Sequence, residues 1–150
     1  MNLKRVLFGN LIDFEKQSST YFNLDGQTVV ALVFLLSEIL RRLNNFLAYF
    51  GVLVLFIVAF FEKKNDLVKF YCYEYGLFII AYEILIAFIG ILMIILPIFW
   101  IFFTILIFVL MIINLVISLY MLYRATFQNK GWKIPWLGDF VLNKIMKVNY

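Results

Sequence analysis

The sequence predicts an all-α integral membrane protein with three transmembrane helices, an N-terminal helix that is interfacial or half-inserted, and an interfacial C-terminal segment. Hydrophobic residues make up 65% of the 150-residue chain, and its mean hydropathy is +0.99, whereas a soluble domain is about 45–50% apolar. No charged residue occurs between Glu83 and Arg124. A straight helix through that run would be about 60 Å long, twice the hydrocarbon thickness of a bilayer, so the chain must turn back once.

The first 27 residues of this single domain, residues 1–150, are predicted to lie on the membrane surface. Their apolar side chains recur at helical spacing, which predicts a surface helix within residues 1–16; they are Leu3, Val6, Leu7, Leu11 and Phe14. The apolar runs are too short for the core of a secretory signal. Targeting is therefore expected to rely on the first spanning helix.

The next two apolar stretches differ in length and in flanking charge. Residues 28–42 are too short to cross a bilayer alone and end in Glu38, Arg41 and Arg42, which favours an interfacial or half-inserted helix. Residues 44–61 begin with two asparagines and are followed by the charged sequence EKKND. Their length is marginal but sufficient for one crossing.

Two long transmembrane helices follow, at residues 70–92 and 98–122. Gly90 and Pro97 are the only helix-breaking residues in the uncharged run, and proline cannot continue a helix because it lacks the backbone N–H. The turn between the two helices is therefore predicted within residues 90–97.

Basic residues predict which side of the membrane faces the cytoplasm. The loop 62–69 and the tail 123–150 share a side because two crossings separate them, and the turn between those crossings carries no basic residue. The shared side carries Lys63, Lys64, Lys69, Arg124, Lys130, Lys133, Lys144 and Lys147. By the positive-inside bias this side is cytoplasmic, which predicts a multi-pass protein of the cell membrane.

The side of the N-terminus stays open. If only residues 44–61 cross, the N-terminus is outside and Arg41 and Arg42 oppose the positive-inside bias. If residues 28–61 form a hairpin, each of its arms is short for a crossing.

The tail after the last helix has an unusual composition, KGWKIPWLGD. Pro135 bars a continued helix, Gly131 permits a left-handed turn beyond the helix end, and Trp132 and Trp136 suit the headgroup layer. We expect the segment to lie flat along the cytoplasmic interface, with a short surface helix after it. A tail that only contacts the membrane is favoured over a docking surface.

Cofactor, metal and nucleic-acid functions are not expected. Cys72 is the single cysteine and the chain has no histidine, which excludes common zinc sites and nucleophiles paired with histidine. No glycine-rich phosphate loop occurs. The net charge of +4 is carried beside spanning helices, where the lipid bilayer is the nearer partner.

Glu83 is the most conspicuous polar residue of the predicted membrane region, because a carboxyl there is costly unless it is protonated or paired. Asn114 lies at comparable depth on the last helix, and a neutral Glu83 hydrogen-bonded to Asn114 is favoured over a proton or cation relay. Glu74 lies nine residues before Glu83 on the same helix, on the opposite face and about 13.5 Å away along the axis. The two carboxyls therefore cannot act as a catalytic pair, and Glu74 is expected to be a solvated interfacial charge within reach of a lysine.

Two segments resemble small bacterial membrane proteins related to the protein-import component of the chloroplast inner envelope. In NDLVKFYCYEYGLFI (65–79), Val68, Lys69 and Phe70 match the family's entry into a helix, while Tyr71 stands where the family has histidine and Glu74 where it has glutamine. In RATFQNKGWKIPWLGD (124–139), the exit from the last helix matches at Ala125, Gly131, Lys133, Ile134, Pro135 and Gly138. The resemblance covers about residues 44–139 and implies an all-helical membrane fold, no cofactor and no known reaction.

The expected function is that of a small non-enzymatic membrane protein, a subunit or accessory in transport or translocation. Three crossings are too few to enclose a path, so a larger membrane-protein partner or self-association is expected. The alternative is a stand-alone immunity or protective protein that binds a peptide or lipid. A lipid-facing enzyme is weaker, because the chain lacks catalytic pairs.

Overall fold

A computed structural model of the protein describes residues 10–13, 24–43, 45–128 and 130–146, and most of them are helical. The long helices are α1 (Gly26–Leu43), α2 (Asn45–Phe61), α3 (Asp66–Ile95) and α4 (Trp100–Gln128), with a 3₁₀ turn at Pro97–Phe99. The smaller elements are strands β1 (Asn10–Asp13) and β2 (Lys130–Lys133), the short helix α5 (Leu137–Phe140) and a π-helical turn at Val141–Ile145.

Helices α1 and α2 form a tight antiparallel hairpin. The Asp25 side chain caps α1 by accepting a hydrogen bond from the Thr28 backbone N–H at 2.7 Å, as aspartate does at helix N-termini. Where the helices pack, Gly51 of α2 lies so close to α1 that an added Cβ would be 2.6 Å from the Ser37 carbonyl oxygen. Glycine therefore permits the close approach of the two backbones.

Helices α3 and α4 form the second hairpin. Asn65 caps α3 by accepting a hydrogen bond from the Val68 N–H at 3.1 Å. Pro97, which lacks an N–H to continue the helix, begins the turn. The helix predicted at residues 70–92 is longer at both ends in the structure. It begins at Asp66 and continues through Gly90 to Ile95.

Two helical segments are long and apolar enough to cross a membrane, Asp66–Ile95 and Pro97–Gln128. This is consistent with a membrane protein. The predicted crossing at residues 44–61 corresponds to α2, whose apolar part, Tyr49–Phe61, is shorter. The predicted interfacial or half-inserted segment 28–42 is helical as α1, and its position relative to a bilayer remains a prediction.

The main hydrophobic core lies at one end of the α3–α4 hairpin, where α1 and α2 pack against it. Its buried side chains include Val30 of α1, Leu55 of α2, Ile79 of α3 and Met121 of α4. At the opposite end, only Ile89 and Phe103 are buried between residues 84 and 113. We call residues 84–113 the outer hairpin.

A two-stranded antiparallel ladder joins the N-terminal segment to the tail. Asn10 pairs with Lys133 and Asp13 pairs with Lys130. The predicted surface helix over residues 1–16 is therefore wrong at Asn10–Asp13, and its other residues lie outside the described part. The helical spacing of apolar residues did not decide the local structure, because β2 supplies inter-strand backbone hydrogen bonds.

Candidate functional site

A cluster of charged side chains joins α1 to α3. Arg41 lies at its centre and donates hydrogen bonds to Glu38 Oε1 at 2.7 Å and to Glu83 Oε1 at 3.1 Å. Tyr75 Oη also donates to Glu38 Oε1 at 2.7 Å. Because the Arg41 and Glu38 side chains are only 11% and 18% exposed, these bonds operate where water competes weakly.

The predicted hydrogen bond between Glu83 and Asn114 is absent. Glu83 is ion-paired with Arg41 instead, and its side chain is 46% exposed rather than deeply buried. Asn114 Oδ1 is buried and has no hydrogen-bond partner among the described residues. Comparable depth on neighbouring helices does not fix the rotation of each helix about its axis, and the long Arg41 side chain reaches Glu83 from α1.

A cleft of about 1090 Å³ opens between α1, α3 and α4 beside this cluster. Glu38, Arg41, Arg42, Glu83 and Asn114 all line it, so the two predicted polar residues do share one site. The rest of its lining is mainly apolar and includes Phe34, Ile79, Ile86, Ile107, Phe108, Met111 and Leu115. This combination of apolar walls with a few polar groups is typical of a small-molecule site.

A second polar contact attaches the tail to α3. Glu74 is fully buried, and its Oε1 accepts a hydrogen bond from the Ile134 backbone N–H at 2.6 Å. Gly138 packs against the same carboxyl, since an added Cβ would be 2.7 Å from Glu74 Oε1. Lys133 Nζ contacts Asp139 Oδ1 at 2.5 Å across the turn. Glu74 is therefore not the solvated charge expected, because the tail covers it.

The tail continues along α3 beyond this contact. Val141 and Leu142 are buried against Phe70, and Trp132 of β2 packs edge-on to Tyr120 of α4 at a centroid distance of 5.0 Å. Contact of residues 130–142 with the membrane remains a prediction. The segment is docked on the protein's own helices by hydrophobic contacts.

The backbone turn of the tail lies at a different residue from the one predicted. Gly131 is within β2, and the left-handed residue is Trp136, with φ of 68°. Leu137 N donates to Pro135 O at 2.9 Å around Trp136, a tight turn that is strained for a residue with a side chain. The Trp136 side chain is 88% exposed, and its position in the headgroup layer remains a prediction.

The two segments that carry the family resemblance contact each other. Glu74 meets Ile134 and Gly138 as described, and Tyr71 and Ala125 are buried in one core cluster against which Ile134 packs. Pro135 is exposed, so its side chain makes no buried contact. Its contribution is the backbone angle φ that its ring fixes. Phe70 anchors the residues that follow the motif.

Glu38, Arg41 and Tyr75 were not predicted as site residues. A signal was present for the first two, since Glu38 and Arg41 are spaced by three residues on a helix and can pair. No local signal connects Tyr75 to Glu38, because the two residues belong to different helices. Within the described residues, no group of three histidine, cysteine, aspartate or glutamate side chains is placed to hold a metal ion.

Comparison of the chain with models of protein families, with curated proteins and with solved structures finds no match.

Proposed function

We propose that this chain is a small non-enzymatic membrane protein that acts as a subunit or accessory in transport or translocation, associated with a larger membrane protein or with further copies of itself. The outer hairpin is the observation that carries the proposal. Its two helices bury only Ile89 and Phe103, and two helices cannot enclose a path. A helix pair of this kind is completed by lipid or by neighbouring transmembrane helices.

The test is the composition of the protein purified from its own membrane in a mild detergent. We expect a stoichiometric complex, containing either a larger membrane protein or several copies, rather than a single 17.8 kDa chain. A photoreactive side chain replacing Ile94, which is 81% exposed in the outer hairpin, should cross-link to that partner. The same group replacing Phe60, which is 72% exposed on α2, is the matched control and should react mainly with lipid.

A single chain without cross-links at Ile94, together with a deletion that sensitises cells to one peptide, would instead support the immunity alternative. That result would overturn the subunit proposal, because a single copy of the chain would then be sufficient for the function.

The ladder between β1 and β2 supports a proposal for membrane sidedness. Strands that pair must lie on the same side of a membrane, so the chain between Asp13 and Lys130 crosses an even number of times. Since α3 and α4 account for two crossings, α1 and α2 either both cross or neither does. We therefore propose that the N-terminal strand, the loop 62–65 and the tail all face the cytoplasm of a cell-membrane protein, in place of three crossings.

Cysteine labelling tests this arrangement in a Cys72→Ser background. Single cysteines replacing Gln27, Lys64 and Lys144 should all be shielded from an impermeant reagent added to intact cells, whereas one replacing Ile98, 87% exposed at the turn, should react. Reaction at Gln27 with protection at Lys64 would restore an odd number of crossings and contradict the ladder.

Membership of the import-component family is also proposed on structural grounds. Contact between the segment at 65–79 and the segment at 124–139, through Glu74 and Ile134 at 2.6 Å, gives the two quoted motifs a shared structural role. The support lies in that contact, which attaches the tail to α3.

A further inference from the structure

The cleft between α1, α3 and α4 has two chemically distinct parts. Charged residues lie where α1 ends, and apolar side chains continue along α3 and α4 towards Ile86, Ile107 and Phe108. The volume of about 1090 Å³ is slightly above the usual range for small-molecule sites, about 300–1,000 Å³. An occupant that fits both parts is an amphiphile with a charged head and an apolar chain.

The charges at the cleft are of both signs and nearly balanced. Arg41 is engaged by Glu38 and Glu83 and is almost covered, but Arg42 is 71% exposed and only 3.8 Å from Glu38. Glu83 is 46% exposed, and only its Oε1 contacts Arg41. One cationic and one anionic side chain therefore remain accessible to an occupant.

Asn114 provides the second polar observation. Asn114 lines the cleft, and its Oδ1 atom is buried and has no hydrogen-bond partner among the described residues. A buried acceptor without a partner is costly, and a donor on a bound molecule would remove that cost.

We propose that the cleft binds one phospholipid with a zwitterionic headgroup, a phosphate joined to a primary amine. Arg42 contacts the phosphate, and Glu83 accepts a hydrogen bond from the ammonium group. One acyl chain lies along the apolar walls formed by Ile86, Phe108 and Leu115. The same ammonium group, which has three N–H donors, also donates to Asn114. This site goes beyond the subunit role proposed above.

Charge complementarity favours this lipid over an anionic one. A net negative headgroup would be attracted by Arg42 but would place a third anion near Glu83 and Glu38, where like charges repel, without an ammonium group to offset it. A zwitterionic headgroup places a charge of opposite sign beside each of the two accessible side chains, Arg42 and Glu83, and leaves the net charge of the cluster unchanged. A lipid without a headgroup charge would gain only the apolar contacts.

Native mass spectrometry of the delipidated full chain in detergent tests the proposal, with dioleoyl phosphatidylethanolamine, dioleoyl phosphatidylglycerol and dioleoylglycerol as probes. We expect phosphatidylethanolamine to bind one copy per chain and about tenfold more tightly than either of the other two. Arg42→Gln and Glu83→Gln should each remove most of that preference.

Two neighbouring residues on α4 provide a matched pair of variants. Leu115 lines the cleft and is 45% exposed, whereas Val116 is 59% exposed and does not line it. Leu115→Trp should fill the apolar part and reduce phosphatidylethanolamine binding by about tenfold or more, while Val116→Trp should leave it unchanged. If Leu115→Trp fails to fold, Met111→Trp, which also lines the cleft, replaces it with Ile113→Trp as its control.

Equal or tighter binding of phosphatidylglycerol would overturn the proposal, because the cleft would then recognise the headgroup through its positive charge alone. Equal losses in the Leu115→Trp and Val116→Trp variants would also overturn it, since the lipid would then lie on the general helix surface.

Discussion

Arg41→Leu is expected to destabilise the protein by about 3 kcal/mol, because it leaves the mostly buried Glu38 carboxylate without its cation and removes the ionic contact to Glu83. Arg41 contacts Glu38 at 2.7 Å and Glu83 at 3.1 Å. Its contact with Glu83 is an ionic link between α1 and α3. A loss of this size should lower the apparent Tm in detergent by about 6–12 °C for a chain of this length.

Arg124→Leu is the control for the loss of an arginine. Arg124 is also partly buried, but its contacts in the structure are with the neutral side chains of Tyr120 and Gln128. Its removal should cost about 1 kcal/mol, since no charge is left behind.

Glu83 should tolerate substitution better than Arg41. Its side chain is about half exposed, so water replaces part of what is lost, and Glu83→Gln still offers an oxygen to Arg41. We expect a change of less than about 1 kcal/mol for this variant. An Arg41→Leu variant as stable as Glu83→Gln would contradict the central position of Arg41 in the cluster.

Gly138→Ala is expected to detach the tail from α3 at the Glu74 contact. An added Cβ would overlap the Lys133 side chain and lie 2.7 Å from Glu74 Oε1 and 3.0 Å from the Lys133 Cα. Overpacking of this kind costs about 1–3 kcal/mol. Two of these three contacts are with the backbone or a buried carboxyl, so the strain should be relieved by movement of the tail itself.

Limited trypsin digestion measures the detachment at the bond after Lys133. In the wild-type protein this bond is protected, because the next residue, Ile134, donates its N–H to Glu74. Gly138→Ala should increase cleavage there by about tenfold, while cleavage after the exposed Lys144 should change little.

Gly90→Ala is the matched glycine control. A Cβ at Gly90 meets nothing within 4 Å, so the substitution should leave both the fold and the trypsin pattern unchanged. Identical cleavage after Lys133 in the wild-type and Gly138→Ala proteins would show that the tail contact tolerates the extra methyl group.

The sequence by itself determined the mainly helical fold and the positions of the long helices. The uncharged run between Glu83 and Arg124 indicated a helical hairpin, and the structure has its turn at Pro97. The segment predicted at 28–42 is helical as Gly26–Leu43. These features are local, because they depend on apolar length, on charges at helix ends and on a residue that lacks an N–H.

The tertiary structure alone decided the partners of the polar side chains and the course of the tail. Glu83 pairs with Arg41 rather than Asn114, and Glu74 contacts Ile134, sixty residues away in the chain. Periodicity gives the face on which a residue lies but not which element covers that face or how the helix is rotated. The sequence also did not predict the ladder of β1 with β2. Strand pairing depends on backbone hydrogen bonds, which sequence patterns do not distinguish.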